Sequence, residues 1–330
     1  MEHRTLGRTG REVSVVGLGT WQLGADWGDV SEADAMAVLE AAAEAGVTFF
    51  DTADVYGDGR SEQLVGRFVA SHPDAGLTVA TKMGRRAEQV PASYVEDNFR
   101  SWLDRSRRNL GVDTVDLVQL HCPPSEVVDD DATYDVLDRL VDEGVVAAYG
   151  VSVETAAQAL SAIARPHVAS VQIILNAFRM KPLDEVLPAA ASAGVGIIAR
   201  VPLASGLLSG KYDLDTTFAE DDHRTYNRDG SAFDVGETFS GVDYATGVEA
   251  AQEFSTLVAS SGLDVTPAQA AIAWIRQQPG VSTVIPGARN VDQARSNSAA
   301  GLVGDLPASF LEGAADLYDR RIRDQVHARW

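Results

Sequence analysis

The amino-acid sequence predicts an α/β protein of the (β/α)8 barrel class, the TIM barrel. Short apolar runs rich in Val and Ile alternate with Ala-rich helical patterns, and eight such strand–helix units follow one another. Near-continuous apolar strands indicate a parallel sheet that is covered on its outside. No break in this rhythm marks a boundary near the middle of the chain, so we expect residues 1–330 to form a single barrel domain.

The expected elements can be placed in order along the chain. The segment RTLGRTGREVS predicts a β-hairpin ahead of the barrel. The expected strands are 13–20, 47–53, 77–83, 115–121, 145–152, 168–175, 195–203 and 281–288. Helical patterns lie at 31–45, 61–70, 92–110, 132–142, 154–163, 183–193, 246–260 and 267–277. Ser31 followed by Asp34 is typical of a capped helix start, and Gly46 is typical of a helix end.

A doubly wound sheet is the alternative fold. It would require a GxGxxG fingerprint that opens a helix after the first strand, and GLGTWQLG does not supply one. Residues 204–245 interrupt the alternation with a loop after the seventh strand that is much longer than usual. The phenylalanine and tyrosine residues in this loop argue against simple disorder.

Composition restricts the classes of function. The formal net charge is -21, and so acidic a chain repels nucleic acids and anionic membrane surfaces. Cys122 is the single cysteine, which excludes an internal disulfide and fits a reducing compartment. The sequence contains neither a Sec-type signal at its start nor an apolar stretch long enough for a membrane span, so we expect a cytoplasmic protein. A homo-oligomer is compatible with the sequence, which does not fix the oligomeric state.

Reactive side chains follow three successive predicted strands, at positions that converge on one mouth of a barrel. Asp51 and Tyr56 follow the second strand, Lys82 ends the third and His121 ends the fourth. Each of these residues, taken alone, can be explained by a structural role. Together, their side chains can carry out the steps of one reaction. A nearby ammonium lowers the pKa of a phenol, a carboxylate holds that ammonium, and a histidine polarises a carbonyl. Because no side chain donates a hydride, this chemistry implies a nicotinamide cofactor.

Six motifs resemble those of the aldo-keto reductase family: FFDTADVYGDGRSE, ATKMG, VQLHCPP, YGVS, PLASGLLSGKY and IPGAR. The resemblance runs from RTLGRTG to IPGARNVDQARSN, which is nearly the whole chain. It implies a bacterial-type, NADPH-dependent oxidoreductase that reduces an aldehyde, a ketone or a sugar to an alcohol. By similarity, Tyr56 is the general acid, Lys82 and Asp51 tune its pKa, and His121 orients and polarises the carbonyl.

The resemblance also implies a site for NADP(H). Ser152 and Gln172 match positions that bind the nicotinamide carboxamide, and Arg289 suits a ribose 2′-phosphate because it is expected to open the last helix. This placement favours NADPH over NADH, and the alternative for Arg289 is an exposed residue without a ligand. The other matched positions are Thr20, Trp21, Asp51, Arg200, Val201, Pro202, Leu203, Lys211, Gly287, Gln293 and Asn297.

Some positions depart from the family pattern. Arg200 stands where many members have an aromatic residue that stacks on the nicotinamide, and Val201 stands where serine is frequent. Val153 replaces a common Asn or Arg, and Ser296 replaces a glutamate that usually precedes the asparagine. These departures concern cofactor contacts and leave Asp51, Tyr56, Lys82 and His121 unchanged.

The long loop and two tryptophans are candidates for the walls of the pocket. Trp21 and Trp27 lie near the expected mouth, and for Trp27 the alternative is packing on the barrel rim. We expect residues 218–241, within the long loop, to form a lid over the cofactor, with His223, Arg224 and Arg228 as donors to phosphate oxygens. The alternative is a loop that is permanently docked.

Two other classes of protein compete with the reductase interpretation. The potassium-channel β subunits keep a similar fold and bind NADP as regulatory modules, but by resemblance they lack the histidine of VQLHCPP. A metal-dependent barrel hydrolase would require clustered histidines. The six histidines of this chain form no HxH or HExxH pattern, so no metal site is expected.

Overall fold

The computed structural model describes residues 1–24 and 30–330, and Trp27 lies outside the described residues. In the described part of the chain, eight strands form one parallel sheet in which each strand pairs with the next along the sequence. Two parallel bridges, Val16 to Val284 and Gly19 to Gly287, join the first of these strands to the last. The sheet therefore closes into a barrel, and the predicted (β/α)8 fold is confirmed.

The strands are short, and two of them form the predicted hairpin ahead of the barrel. The hairpin pairs β1 (His3–Thr5) with β2 (Glu12–Ser14) in antiparallel fashion. The barrel strands are β3 (Leu18–Gly19), β4 (Phe49–Asp51), β5 (Thr78–Met83), β6 (Leu117–His121), β7 (Tyr149–Ser152), β8 (Ser170–Ile174), β9 (Gly196–Arg200) and β10 (Val281–Val284).

Helices alternate with the barrel strands as predicted. They are α1 (Glu32–Glu44), α2 (Arg60–Ser71), α3 (Glu96–Leu110), α4 (Ser125–Val128), α5 (Asp131–Asp142), α6 (Ala156–Ile163), α7 (Val186–Ala193), α8 (His223–Tyr226), α9 (Tyr244–Ser260), α10 (Pro267–Arg276), α11 (Val291–Ala299), α12 (Ala308–Leu317) and α13 (Arg323–Val326). The Ser31 side chain accepts a hydrogen bond from the Asp34 amide, which confirms the predicted cap of α1. Among the helices of the described residues, none is long and apolar enough to cross a membrane.

The first predicted strand, 13–20, was placed incorrectly as one element. Its beginning belongs to β2 of the hairpin, and only Leu18–Gly19 forms a barrel strand, with Val16 bridging to β10. The turn between them is fixed by the Ser14 hydroxyl, which donates to the Val16 carbonyl, while Ser14 and Thr48 exchange bonds between side chain and backbone amide. The sequence does not reveal this turn, because the segments before and after it are both buried and therefore both apolar.

The hairpin closes the end of the barrel where the strands begin. Leu6 and Val13 join an apolar cluster with Phe49, Leu117 and Ile198 from three barrel strands. The contact is close, since a Cβ on Gly7 would lie 2.1 Å from the Gly196 amide nitrogen at the start of β9. With that end filled, the open mouth is left at the carboxyl ends of the strands, which is where barrel enzymes carry their active sites.

The long loop after β9 is present, and it is docked on the barrel mouth. Several of its side chains are almost completely buried, among them His223, Asn227, Phe239 and Ser240. Asn176 donates to the Ser240 hydroxyl at 2.8 Å and to the Val201 carbonyl at 2.9 Å, which ties the loop to the end of β8. The loop is therefore docked in this arrangement, and its opening as a lid stays a prediction.

Candidate functional site

Asp51, Tyr56, Lys82 and His121 meet at the mouth of the barrel. Asp51 ends β4, Lys82 lies in β5 and His121 ends β6, while Tyr56 follows β4 in the next loop. The Lys82 ammonium forms an ion pair with Asp51 and lies 3.3 Å from the Tyr56 hydroxyl. The Tyr56 and His121 rings are 5.9 Å apart at 84°. The structure therefore brings together four side chains that the sequence places up to seventy residues apart.

Asp51 is fixed by three donors rather than one. One carboxylate oxygen pairs with Lys82, and the other accepts from Gln119 at 3.1 Å and from Gln172 at 2.8 Å. Gln172 also donates to Gln119 at 3.1 Å, so its amide nitrogen is fully used and its carbonyl oxygen remains as an acceptor. Sequence reasoning missed Gln119, although its position two residues before His121 on the same strand predicts that both side chains point the same way.

Tyr56 is half-buried in the wall at the barrel mouth, and its surroundings set the pKa of its hydroxyl. Burial raises the pKa of Tyr56, and the nearby Lys82 ammonium opposes burial without overcoming it. The net direction is therefore opposite to the one expected from Lys82 alone. Lys82 itself stays charged, because Asp51 and Tyr56 outweigh the effect of burial and raise its pKa. A phenol with a raised pKa is protonated at neutral pH, as a proton donor must be.

His121 is held as a neutral imidazole. Burial lowers its pKa well below the ordinary value, and the positive charges of Arg85, Lys82 and Arg200 add to that effect. Its Nδ1 atom is buried and has no hydrogen-bond partner among the described residues. A neutral imidazole beside the Tyr56 phenol can donate one hydrogen bond to a substrate oxygen.

A cavity of about 470 Å³ opens above these residues. Tyr56, Asp51 and His121 line it, whereas Lys82 lies behind them. All the predicted cofactor positions line the same cavity: Thr20, Trp21, Asp51, Ser152, Gln172, Arg200, Val201, Pro202, Leu203, Lys211, Gly287, Arg289, Gln293 and Asn297. The structure thus gathers the predicted cofactor positions and three of the four predicted catalytic residues, all but Lys82, at one surface.

Backbone strain is concentrated around this mouth. Cys122, Val201, Ala204 and Ser205 have φ angles of 50°, 53°, 48° and 55°. Positive φ is unfavourable for residues with a side chain, above all for a β-branched one such as Val201. Residues in such conformations persist only where the surroundings enforce them, and they cluster at functional sites.

Arg200 belongs to a buried cluster of charges instead of being an isolated substitution. It pairs with Glu154 at 2.9 Å and with Glu237 of the long loop at 3.4 Å. Arg85 pairs with Glu237 at 3.1 Å and lies 3.6 Å from Glu154. The possible ligand atoms of Cys122, Glu154 and Glu237 lie within 4.8 Å of one another, but the two arginines occupy both carboxylates and oppose a bound cation.

The loop turn that carries Glu237 is anchored from outside the cavity by Trp330. Its indole nitrogen donates to Asp234 at 3.0 Å, and its ring lies 4.1 Å from the Arg179 guanidinium. The indole also packs against the loop backbone, because a Cβ on Gly241 would come within 2.3 Å of it. Sequence reasoning missed this anchor, since nothing in the local pattern connects Trp330 to the loop.

The other end of the cavity carries Lys211, Arg289, Gln293 and Asn297. Arg289 does not open the last helix as expected: α11 begins at Val291, and α12 follows it. The Asn290 side chain caps α11 by accepting from the Gln293 amide, while the Gln293 side chain accepts from the Arg289 amide. Arg289 therefore precedes the helix by two residues, although it still lines the cavity.

The predicted phosphate donors of the loop have partners within the loop. Arg224 forms an ion pair with Asp222 and lies 4.2 Å from the Phe218 ring, and Arg228 lies 4.9 Å from the Tyr244 ring. His223 and Arg224 nevertheless line the cavity, which Arg228 does not. The expectation for Arg228 as a cavity donor is therefore not met in this arrangement.

Comparisons with known proteins agree with this geometry. A family model described as "Aldo/keto reductase family" matches residues 15–317. An uncharacterized oxidoreductase of Mycobacterium tuberculosis is 32% identical over 317 residues, which cover 92% of this chain and 89% of that protein. A probable voltage-gated potassium channel subunit beta of Oryza sativa is 30% identical over 320 residues, which cover 90% of each chain. The solved structure of a glycerol dehydrogenase from Gluconobacter oxydans is similar, with a TM-score of 0.75, 28% identity, and 94% and 93% of the two chains covered.

The family match and the oxidoreductase relative extend over nearly the whole chain, and they include the segments that carry Asp51, Tyr56, Lys82 and His121. The chain therefore belongs to the aldo/keto reductase family, with the general role of an oxidoreductase.

Proposed function

We propose that the protein is an NADP(H)-dependent reductase that converts an aldehyde, ketone or sugar carbonyl to an alcohol, with Tyr56 as the general acid. The observation that carries this proposal is the Tyr56 hydroxyl, which lies 3.3 Å from the Lys82 ammonium and beside His121 in the wall of the cavity. A protonated phenol and a neutral imidazole on one surface are the groups that carbonyl reduction requires.

The lining of the cavity fits a dinucleotide phosphate. Lys211 and Arg289 bring positive charge into the cavity of a chain whose net charge is -21. The Gln172 carbonyl oxygen can accept from an amide, since the bonds to Asp51 and Gln119 use only its amide nitrogen, and Ser152 adds a hydroxyl at the end of the neighbouring strand. When bound, NADPH supplies the hydride. We infer that the cavity positions given above hold it, with Arg289 at the 2′-phosphate.

The protein's own residues perform the proton transfer. The His121 imidazole donates a hydrogen bond to the carbonyl oxygen and polarises the bond. As negative charge develops on that oxygen, the Tyr56 hydroxyl gives it a proton. The Lys82 ammonium stabilises the phenolate that remains, and Asp51, held by Gln119 and Gln172, keeps Lys82 in position.

Tyr56→Phe tests the proposal, because it removes only the hydroxyl. NADPH oxidation, followed at 340 nm with a panel of aldehydes, ketones and sugars, should fall by about 10²–10⁴-fold, while NADPH binding measured by tryptophan fluorescence stays unchanged. Tyr134→Phe is the matched control, since the Tyr134 hydroxyl donates to the Val128 carbonyl and does not line the cavity. Turnover within threefold of the unmodified protein would show that Tyr56 is not the acid.

A regulatory NADP-binding subunit is the second candidate, and one observation favours it: the rice potassium channel subunit that is 30% identical to this chain. The same measurements separate the two candidates. Tight NADPH binding without oxidation by any carbonyl compound of the panel would favour the regulatory subunit. Catalytic turnover that depends on Tyr56 would favour the reductase.

A further inference from the structure

We propose that Glu237, carried into the cavity by the long loop, recognises a hydroxyl group next to the substrate carbonyl, so that the substrates are neutral hydroxyaldehydes or hydroxyketones. This inference rests on the proposed reductase function. Glu237 has no role in the proton transfer described above. It is 9% exposed and lines the cavity that contains Tyr56 and His121.

Glu237 belongs to the wall that continues from Tyr56. Trp21 lies 6.0 Å from the Tyr56 ring and 5.5 Å from the His223 ring, measured between centroids. The His223 Nε2 atom lies 3.4 Å from the Ser205 hydroxyl, which donates to the Glu237 carbonyl at 3.1 Å. These contacts place the backbone of Glu237 next to His223, and Glu237 lines the same cavity as Trp21 and Tyr56.

The Glu237 side chain is an ionised acceptor of fixed position. Its two oxygens pair separately, one with Arg85 at 3.1 Å and the other with Arg200 at 3.4 Å. Burial opposes its ionisation, but the two arginines outweigh burial and lower the pKa of Glu237. The Glu154 side chain also hydrogen-bonds to Glu237. A carboxylate has about four acceptor sites, so these three partners leave capacity for one further donor.

The negative charge on the Glu237 carboxylate decides which ligand groups fit beside it. A carboxylate accepts hydrogen bonds from hydroxyl groups and repels carboxylates and phosphates. Arg200 would attract anions, but its guanidinium already pairs with Glu154 and Glu237 and donates to the Val153 carbonyl at 3.2 Å. Arg85 adds a second positive charge and burial raises the pKa of Glu154, so the selection comes from the Glu237 carboxylate itself. A hydroxyl group next to the carbonyl can donate to this carboxylate, whereas a ligand carboxylate in the same place would be repelled by it.

The test compares substrates that differ in one group. 2-Hydroxypropanal and 2-methylpropanal have the same shape, with a hydroxyl in one where the other has a methyl. Rates of NADPH oxidation, corrected for the hydrated fraction of each aldehyde, should give a kcat/KM at least about tenfold higher for 2-hydroxypropanal, the size of one charge-assisted hydrogen bond. Glyoxylate, which is anionic, should be the poorest substrate of the three.

Glu237→Gln keeps the size of the side chain and removes its charge. It should reduce the ratio of kcat/KM for 2-hydroxypropanal to that for 2-methylpropanal to less than about threefold. Glu96→Gln is the matched control, because Glu96 pairs with two arginines, Arg100 and Arg139, and does not line the cavity. A loss of preference in Glu237→Gln no larger than in Glu96→Gln would overturn recognition by Glu237.

A second measurement needs no variant. 1,2-Propanediol should inhibit as a product-like ligand at concentrations about tenfold lower than 2-methyl-1-propanol. Equal inhibition, equal kcat/KM for the two aldehydes, or a preference for glyoxylate would overturn the inference and leave the reductase proposal standing. Absence of NADPH oxidation with every aldehyde, including the reactive 4-nitrobenzaldehyde, would overturn the reductase proposal itself.

Discussion

Replacing Lys82 by Met tests whether the buried ion pair is built as described. Lys82 and Asp51 are both almost fully buried, and Lys82 also donates to the Thr52 carbonyl at 2.9 Å. Removing one partner of a buried pair leaves an uncompensated charge and typically lowers the free energy of unfolding by about 3–5 kcal/mol. Here Gln119 and Gln172 still donate to one oxygen of Asp51, so we expect the lower end, about 3 kcal/mol.

A double-mutant cycle measures the coupling energy between Lys82 and Asp51. Asp51→Asn leaves the Lys82 ammonium buried without a carboxylate, and it should lose a similar free energy of unfolding, about 3 kcal/mol. The double variant carries neither charge, so its loss should be smaller than the sum of the single losses by about 2–3 kcal/mol. Urea unfolding, followed by tryptophan fluorescence at pH 7, measures all four proteins.

An exposed ion pair gives the matched control. Arg323 and Asp319 are four residues apart, and their side chains are 41% and 57% exposed. The cycle with Arg323→Met and Asp319→Asn should give a coupling of only about 0.3–0.5 kcal/mol. A coupling for Lys82 and Asp51 as small as that of the control would refute the buried geometry and, with it, the account of how Lys82 is held beside Tyr56.

Three further predictions concern other parts of the site. Arg289→Ala should weaken NADPH binding by about 1.5–3 kcal/mol and leave NADH binding nearly unchanged; equal losses would exclude a contact with the 2′-phosphate. Trp330→Phe should lower the free energy of unfolding by about 1 kcal/mol through loss of the bond to Asp234, and Trp330→Ala by about 3–5 kcal/mol; equal effects of the two would exclude the packing role. Burial and Glu62 raise the pKa of Asp54 to about 7, so the folded state binds a proton that the unfolded state releases, and stability falls as pH rises towards 7. Relative to Asp54→Asn, the unmodified protein should lose about 2–3 kcal/mol between pH 5 and pH 8 in urea unfolding, and parallel curves would contradict this.

The fold could be predicted from the sequence because each strand–helix unit carries its own signal. Apolar runs place the strands, and caps such as Ser31 place the helices. The error at 13–20 arose where two buried segments adjoin without a polar break. Strand ends then predicted Asp51, Lys82 and His121 as neighbours, because parallel strands in a barrel deliver their carboxyl ends to one mouth.

The charges that modify the site could not be predicted in the same way. Glu237 reaches Arg200 from a loop with no periodic pattern, and its turn depends on Trp330, which is far away in the sequence. The net pKa shift of Tyr56 depends on burial, and burial results from the packing of many residues. Local patterns predict which residue types are present, but they do not predict how completely water is excluded from them.

The docking of the long loop limits how much of it can open as a lid. Opening all of residues 213–245 would separate Glu237 from Arg85 and Arg200 and would expose the Phe239 ring, which is 1% exposed. Exposing a buried phenylalanine alone costs about 1.5–3 kcal/mol, so a fully open state would be populated in fewer than about one molecule in ten. The segment around Leu214, which is 63% exposed, has no comparable burial. Opening for ligand entry would therefore be confined to the part of the loop that precedes His223, while Glu237 stays in the cavity and keeps the same acceptor in front of every substrate.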